Sequence, residues 1–284
     1  MKLIILKGGN FHMATKKAGS TAKKSTRAKS QSAKAKSTVT TVRAVETTKA
    51  TAASSSRFGD RRTVLAAALI GEFIGTFLLA SAFLVTKGEP LYMGFVLITL
   101  VLVVGTLSGA YLNPLLTVGA WVTRKIGHLR AAGYIVAQLL GAGAAFVVLT
   151  AFINGAGEAS SAYASQATVF KMAALSDKTH WYAFFAELLG ATIFAFAVAG
   201  ALREKTDRVA KAMTVGFGLF VAALTTSVAL SYVGANVALN PALALAATAV
   251  DWTKIDWFAA LAYLIAPLLG GILGFALRDV VETK

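Results

Sequence analysis

Leu-Asn-Pro occurs twice in this chain, at Leu112–Pro114 and Leu239–Pro241. Each copy stands just ahead of the third of three long apolar stretches. The stretches are Val64–Val85, Leu91–Leu107, Ala131–Ile153, then Tyr182–Leu202, Val209–Leu230 and Phe258–Leu277. Each is near the length that crosses about 30 Å of hydrocarbon, the second being the shortest. The halves match elsewhere too. Tyr134-Ile-Val-Ala-Gln-Leu-Leu-Gly141 corresponds to Tyr263-Leu-Ile-Ala-Pro-Leu-Leu-Gly270, and Gly71-Glu-Phe-Ile-Gly75 to Ala186-Glu-Leu-Leu-Gly190. A repeat of three spans is odd, so its second copy must enter a membrane upside down. Inverted repeats of this kind build transporters and channels, with the site at the repeat interface near the midplane.

Composition agrees. The hydrophobic set makes up 56% of the 284 residues and charged residues 14%, against about 25% charged in a soluble domain. Lipid must therefore be the solvent for much of the chain. With no Cys, disulfides and thiol chemistry are excluded, and His12, His128 and His180 lie too far apart to suggest a metal site. Neither an enzyme nor a cofactor is expected.

The net charge of +15 is concentrated at one end. Residues 1–63 hold 15 Lys/Arg and 2 Asp/Glu, and residues 64–284 hold 13 and 11. Residues 14–57 are built from Lys, Ala, Ser and Thr without apolar periodicity, which predicts a disordered tail. The tail is a solvated topology signal, a contact for anionic lipid, or, less favoured, a nucleic-acid contact. Met13 is an alternative start to Met1. The predicted organisation is a tail over 1–63 and a membrane domain over 64–280, with repeats at 64–153 and 182–277. Lys/Arg cluster in the tail, at Arg124, Lys125 and Arg130, and at Arg203, Lys205, Arg208 and Lys211. By the positive-inside rule both termini are cytoplasmic, in a multi-pass protein of the cell (plasma or inner) membrane.

After each Leu-Asn-Pro comes a short apolar run, Leu115–Trp121 and Ala242–Val250, which at about 1.5 Å per residue spans half a membrane. Asn is a strong N-cap and Pro suits the first helical position. Asn113-Pro114 and Asn240-Pro241 thus start two half-helices that fold inward from opposite faces. Their positive dipole ends meet at the midplane. Each Asn can cap through its carbonyl oxygen and keep its NH₂ for a passing solute. Glu72 and Glu187, near the starts of spans one and four, are expected to be buried and to accept backbone N–H groups of the re-entrant loops. A proton-relay role is the alternative.

From about residue 64 to 277 the chain resembles the aquaporin, or major intrinsic protein, family. The resemblance rests on Glu72-Phe-Ile-Gly-Thr76, Ser108-Gly-Ala-Tyr-Leu-Asn-Pro114, Tyr134-Ile-Val-Ala-Gln138, Asn240-Pro-Ala242 and Pro267-Leu-Leu-Gly270. It implies an all-α fold of six tilted spans and two re-entrant half-helices. It also implies a homotetramer with one pore per subunit and passive flow of water or small neutral solutes, without cofactor. Gln138 joins Glu72 and Glu187 as an expected buried structural polar group.

Three departures bear on selectivity. The first motif ends in Leu115 where the family usually has Ala, Tyr111 stands where His is common, and Leu243 follows Ala242 where an Arg usually forms the outer filter. Counting from the Asn residues puts the remaining filter positions at Met93, Val228 and Val237. All four positions are apolar, and an apolar constriction offers little replacement for lost hydration. Two functions stay open: a channel for water or glycerol-like neutral solutes, and a non-conducting scaffold or adhesion protein acting through its basic tail.

Overall fold

The computed structural model describes residues 55–155, 168–176, 178–248 and 256–282, with side chains from Arg62 onward. The tail up to residue 54, including Met13, lies outside the described residues. Eight helices follow one another among the described residues: α1 (Ser55–Thr86), α2 (Pro90–Val104), α3 (Pro114–Val122), α4 (His128–Gly155), α5 (His180–Ala201), α6 (Arg208–Ser231), α7 (Pro241–Ala246) and α8 (Trp257–Glu282). Five of them are long and apolar enough to cross a membrane, and α2 is a shorter apolar helix. No strand occurs among the described residues.

Several boundaries differ from the sequence expectation. Helix α1 begins at Ser55, not Val64, because hydropathy marks entry into lipid while helix propagation continues wherever one more hydrogen bond can form. The run expected over Ala242–Val250 is helical only to Ala246, and Thr248 already has φ +54°. Residues 249–255 lie outside the described set.

Large apolar side chains point away from the protein on every long helix. Leu129, Leu140, Val147 and Phe152 on α4 are all more than 60% exposed, which only lipid tolerates at this density. The interior combines many alanines and glycines at close helix contacts with larger buried side chains such as Tyr134, Phe194, Tyr263 and Phe275.

The two repeats pack alike. Helix α1 lies along α4 and α5 along α8, while α3 packs on α8 and α7 on α4. Glycines set these approaches. A Cβ on Gly141 would stand 2.4 Å from the Phe73 carbonyl oxygen, and one on Gly270 would stand 2.6 Å from that of Leu188. Phe73 and Leu188 each follow the repeat-related glutamate. The tightest helix crossing of this kind is α3 on α8, where a Cβ on Gly271 would lie 2.2 Å from the Leu115 carbonyl oxygen. Backbone cannot step aside, so Gly271→Val should cost at least the ~1–3 kcal/mol of core overpacking. The expected outcome is a large loss of monodisperse protein on detergent size-exclusion chromatography. An unaltered profile and melting temperature would refute this close packing.

One asymmetry has a local cause. Pro267 occupies the repeat position of Gln138, in the middle of α8. Proline lacks the N–H and crowds the carbonyl four residues back. The segment Leu261–Ile265, immediately before, takes the wider π form, and the Ala266 N–H reaches the Leu261 oxygen, which accommodates the ring without ending the helix.

Candidate functional site

The two Leu-Asn-Pro turns meet, and each completes the other. The Asn113 side-chain oxygen accepts from Leu115 N–H at 3.0 Å, and that of Asn240 accepts from Ala242 N–H at 3.0 Å. Pro114 and Pro241 are the first residues of α3 and α7. The side-chain nitrogens cross over. Asn113 Nδ2 donates to the Leu239 carbonyl at 2.8 Å, and Asn240 Nδ2 to the Leu112 carbonyl at 3.0 Å. This corrects the expectation of a wholly free NH₂: one hydrogen of each amide holds the opposite turn, and one remains.

That exchange depends on an unusual backbone. Leu112 and Leu239 both have positive φ, 52° and 46°, a region that L-residues other than Gly, Asn and Asp seldom visit. The glutamates hold it in place. Glu72 accepts from Tyr111 N–H at 2.9 Å and Leu112 N–H at 2.7 Å, and Glu187 from Ala238 N–H at 2.7 Å and Leu239 N–H at 2.9 Å. Both carboxylates are fully buried. Gln138 Nε2 adds a bond to Glu72 at 2.7 Å and one to Thr117 Oγ1 at 2.9 Å. Every carboxylate oxygen in this pair is engaged with a donor, the geometry of a clamp.

The glycine three residues after each glutamate completes the device. A Cβ on Gly75 would meet Leu112 Cδ2 at 2.5 Å, and one on Gly190 would meet Leu239 Cδ2 at 2.8 Å. The Glu-x-x-Gly element therefore clamps the strained leucine's backbone and makes room for its side chain. The tyrosines help: Tyr134 Oη donates to the Ser108 carbonyl at 2.6 Å and Tyr263 Oη to that of Asn236 at 3.1 Å.

A narrow cavity runs to this point, walled by Leu79 and Phe83 of α1, Met93 and Leu97 of α2, Phe194 of α5, and Leu219 and Ala223 of α6. Tyr111, Asn113, Val237, Asn240 and Leu243 also line it, with Gly88, Ala238 and Leu239. The space open to the centre of a water molecule is about 20 Å³, room for one or two waters. Of the four positions expected for the filter, Met93, Val237 and Leu243 face this cavity. Val228 does not. It is 53% exposed on the outside of α6, and Ala223 and Leu219 take the α6 side. The count from Asn240 assumed a register for the α6–α7 loop, and a slip of a few residues turns a helical position to another face. Leu115 and Ala242 are buried and lie outside the cavity lining, so the larger third residue of the first motif packs inward. Counting from the motifs missed Leu79, Phe83, Leu97 and Phe194. The available signal was the four-residue spacing from Gly75 to Leu79 to Phe83 and from Gly190 to Phe194.

Residues 61–277 match the model of the Major intrinsic protein family, and the chain belongs to that family. It is 27% identical over 238 residues to Aquaporin Z of Rhodopseudomonas palustris, covering 77% of this chain and 92% of that protein. It is 26% identical over 217 residues to glycerol uptake facilitator protein-like 6 of Lactiplantibacillus plantarum, covering 72% and 93%. Among solved structures, the aquaglyceroporin from Plasmodium falciparum matches with a TM-score of 0.57 at 23% identity, over 77% of this chain and 98% of that one, a likeness of fold.

Proposed function

We propose that this chain is a passive transmembrane channel for water and small neutral solutes of the glycerol type, with an apolar outer filter. The observation that carries the reading is the crossed pair of Asn113 and Asn240 at the inner end of the cavity. Two half-helix N-termini and two amide donors converge there, a polarity suited to a solute oxygen and hostile to cations. The names and sequence similarity of the relatives support the same solute range. The filter is formed by Met93, Val237 and Leu243, with Ala223 in place of Val228. The protein is a homotetramer with both termini cytoplasmic. Its basic tail is a contact for anionic lipid and contributes nothing to the pore. The competing scaffold reading draws on the small cavity, and it requires zero conductance.

Proteoliposome light scattering under water, glycerol and urea gradients tests the reading. Wild type should exceed empty vesicles for water or glycerol, and a flat response to all three would leave the scaffold. The filter assignment has its own test. Ala223→Phe should lower permeability at least about tenfold, because the ring fills a cavity with room for only one or two waters. Val228→Phe should change it by less than about twofold, as an exposed substitution away from the pore. The opposite ranking would return Val228 to the filter.

A further inference from the structure

Two openings lie away from the pore, and a single row of α4 joins them. One is an apolar groove of about 710 Å³ between α1 and α4, walled by Leu69 and Phe73 on α1 and by Ala132, Val136 and Leu140 on α4. Gly133 lets Leu69 pack closely against α4 in its wall, since a Cβ there would stand 2.8 Å from Leu69 Cδ2. The other is a cleft of about 600 Å³ at the α3–α4 turn, lined in part by Trp121, Arg124, Lys125 and His128. His128, Ala132, Val136 and Leu140 are spaced by four and form one ridge, which leads from the cleft into the groove. Gly133 lies beside Leu69, and Gly141 beside Phe73, so α1 and α4 run in the same direction. The groove therefore sits in the half of the bilayer nearest the basic helix starts, and the cleft sits at its interface.

The chemistry of the two openings differs as the two parts of a phospholipid do. The groove is wholly apolar. The cleft residues include two cations and no acid. Lys125 is tied to Asp279 at 2.8 Å, whereas Arg124 is exposed and has no ion pair among the described residues. Trp121 Nε1 donates to His128 Nδ1 at 2.8 Å, which holds the ring in place and leaves Nε2 as its other polar atom. The tryptophan also suits the interfacial level.

We propose that the α1–α4 groove and the α3–α4 cleft together bind one anionic phospholipid of the cytoplasmic leaflet. One acyl chain lies along the ridge from Ala132 to Leu140, and the phosphate is held at Arg124 and His128. A zwitterionic headgroup would bring its ammonium against the same cations, so the site selects net negative charge. The basic tail attracts anionic lipid as a diffuse surface field, without regard to an acyl groove, and the experiment separates the two.

The full-length protein in mild detergent is offered equal amounts of phosphatidylglycerol and phosphatidylcholine with identical chains, and retained lipid is counted by native mass spectrometry. One phosphatidylglycerol per protomer should be retained in preference. Arg124→Gln should lower retention about fivefold, the effect of one basic residue near the surface. Ala132→Phe, which fills the groove and alters no charge, should lower it similarly. Equal retention of both lipids overturns the proposal, as does undiminished phosphatidylglycerol binding by Ala132→Phe, which assigns the lipid to the tail. The chain has no cysteine, so Val136→Cys reports directly on a second copy. Ready disulfide cross-linking between protomers would mean that protein, and no lipid, covers the groove.

Discussion

Glu187→Leu is expected to remove nearly all folded channel from the membrane. The Ala238 and Leu239 N–H groups donate to Glu187 and to no other acceptor among the described residues, and both are buried where no bulk water replaces the lost acceptor. Each orphaned donor costs about 1–3 kcal/mol, so the pair costs about 2–6 kcal/mol, against a total stability of about 5–15 kcal/mol for an ordinary domain. The Leu239 backbone adds to the loss, since its positive φ is held by that carboxylate. Glu187→Gln keeps one oxygen as acceptor but brings an NH₂ with no partner, and should fall between wild type and Leu. The measurement is the melting temperature and monodisperse yield in detergent for the three proteins. Equal stability of Glu187→Leu and wild type would show that the second turn holds its shape without the clamp.

The same geometry explains what could be read from residues alone. The duplicated Leu-Asn-Pro, the paired Glu-x-x-Gly and the odd number of spans led to the fold, because each encodes a backbone demand: a cap, a clamp, an inversion. Glu72 and Glu187 were legible as loop acceptors for the same reason, since a buried carboxylate must have donors. The crossing of the Asn side chains was not. Which carbonyl an amide reaches depends on where two turns 126 residues apart come to rest, and no local pattern carries that. Val228 failed differently. Its position was counted across a loop whose length does not fix helical phase, and 100° of rotation per residue turns a small error into the wrong face. The lining residues Leu79, Phe83 and Phe194 carry ordinary apolar side chains, and apart from their four-residue spacing from Gly75 and Gly190 only the packing distinguishes them from the lipid-facing ones beside them.

Leu243→Arg should lower the glycerol-to-water permeability ratio about tenfold, the low end of the ~1–3 kcal/mol by which a pocket discriminates one methylene. Leu243 is 2% exposed, on the first turn and a half of α7, and faces the cavity with Met93 and Val237. Under the channel reading proposed above, these three side chains offer a solute apolar contact and no hydrogen bond, so the side-chain partners left to a polyol in the cavity are Tyr111 and the Asn pair. A carbon skeleton gains from the apolar wall and water does not, which favours the larger solute. An Arg at this position would bring five donors and a fixed positive charge, narrow the passage, and give water a partner where it now has none. It must find backbone carbonyls to fold there, so the comparison is made at equal density of folded channel. Cations should be refused by both proteins. In wild type the two half-helix ends contribute only about half a charge each, and the larger barrier is the dehydration of an ion in an apolar constriction. An unchanged glycerol-to-water ratio, with both variants folded and conducting, would take Leu243 out of the selectivity step and place discrimination at the Asn pair instead.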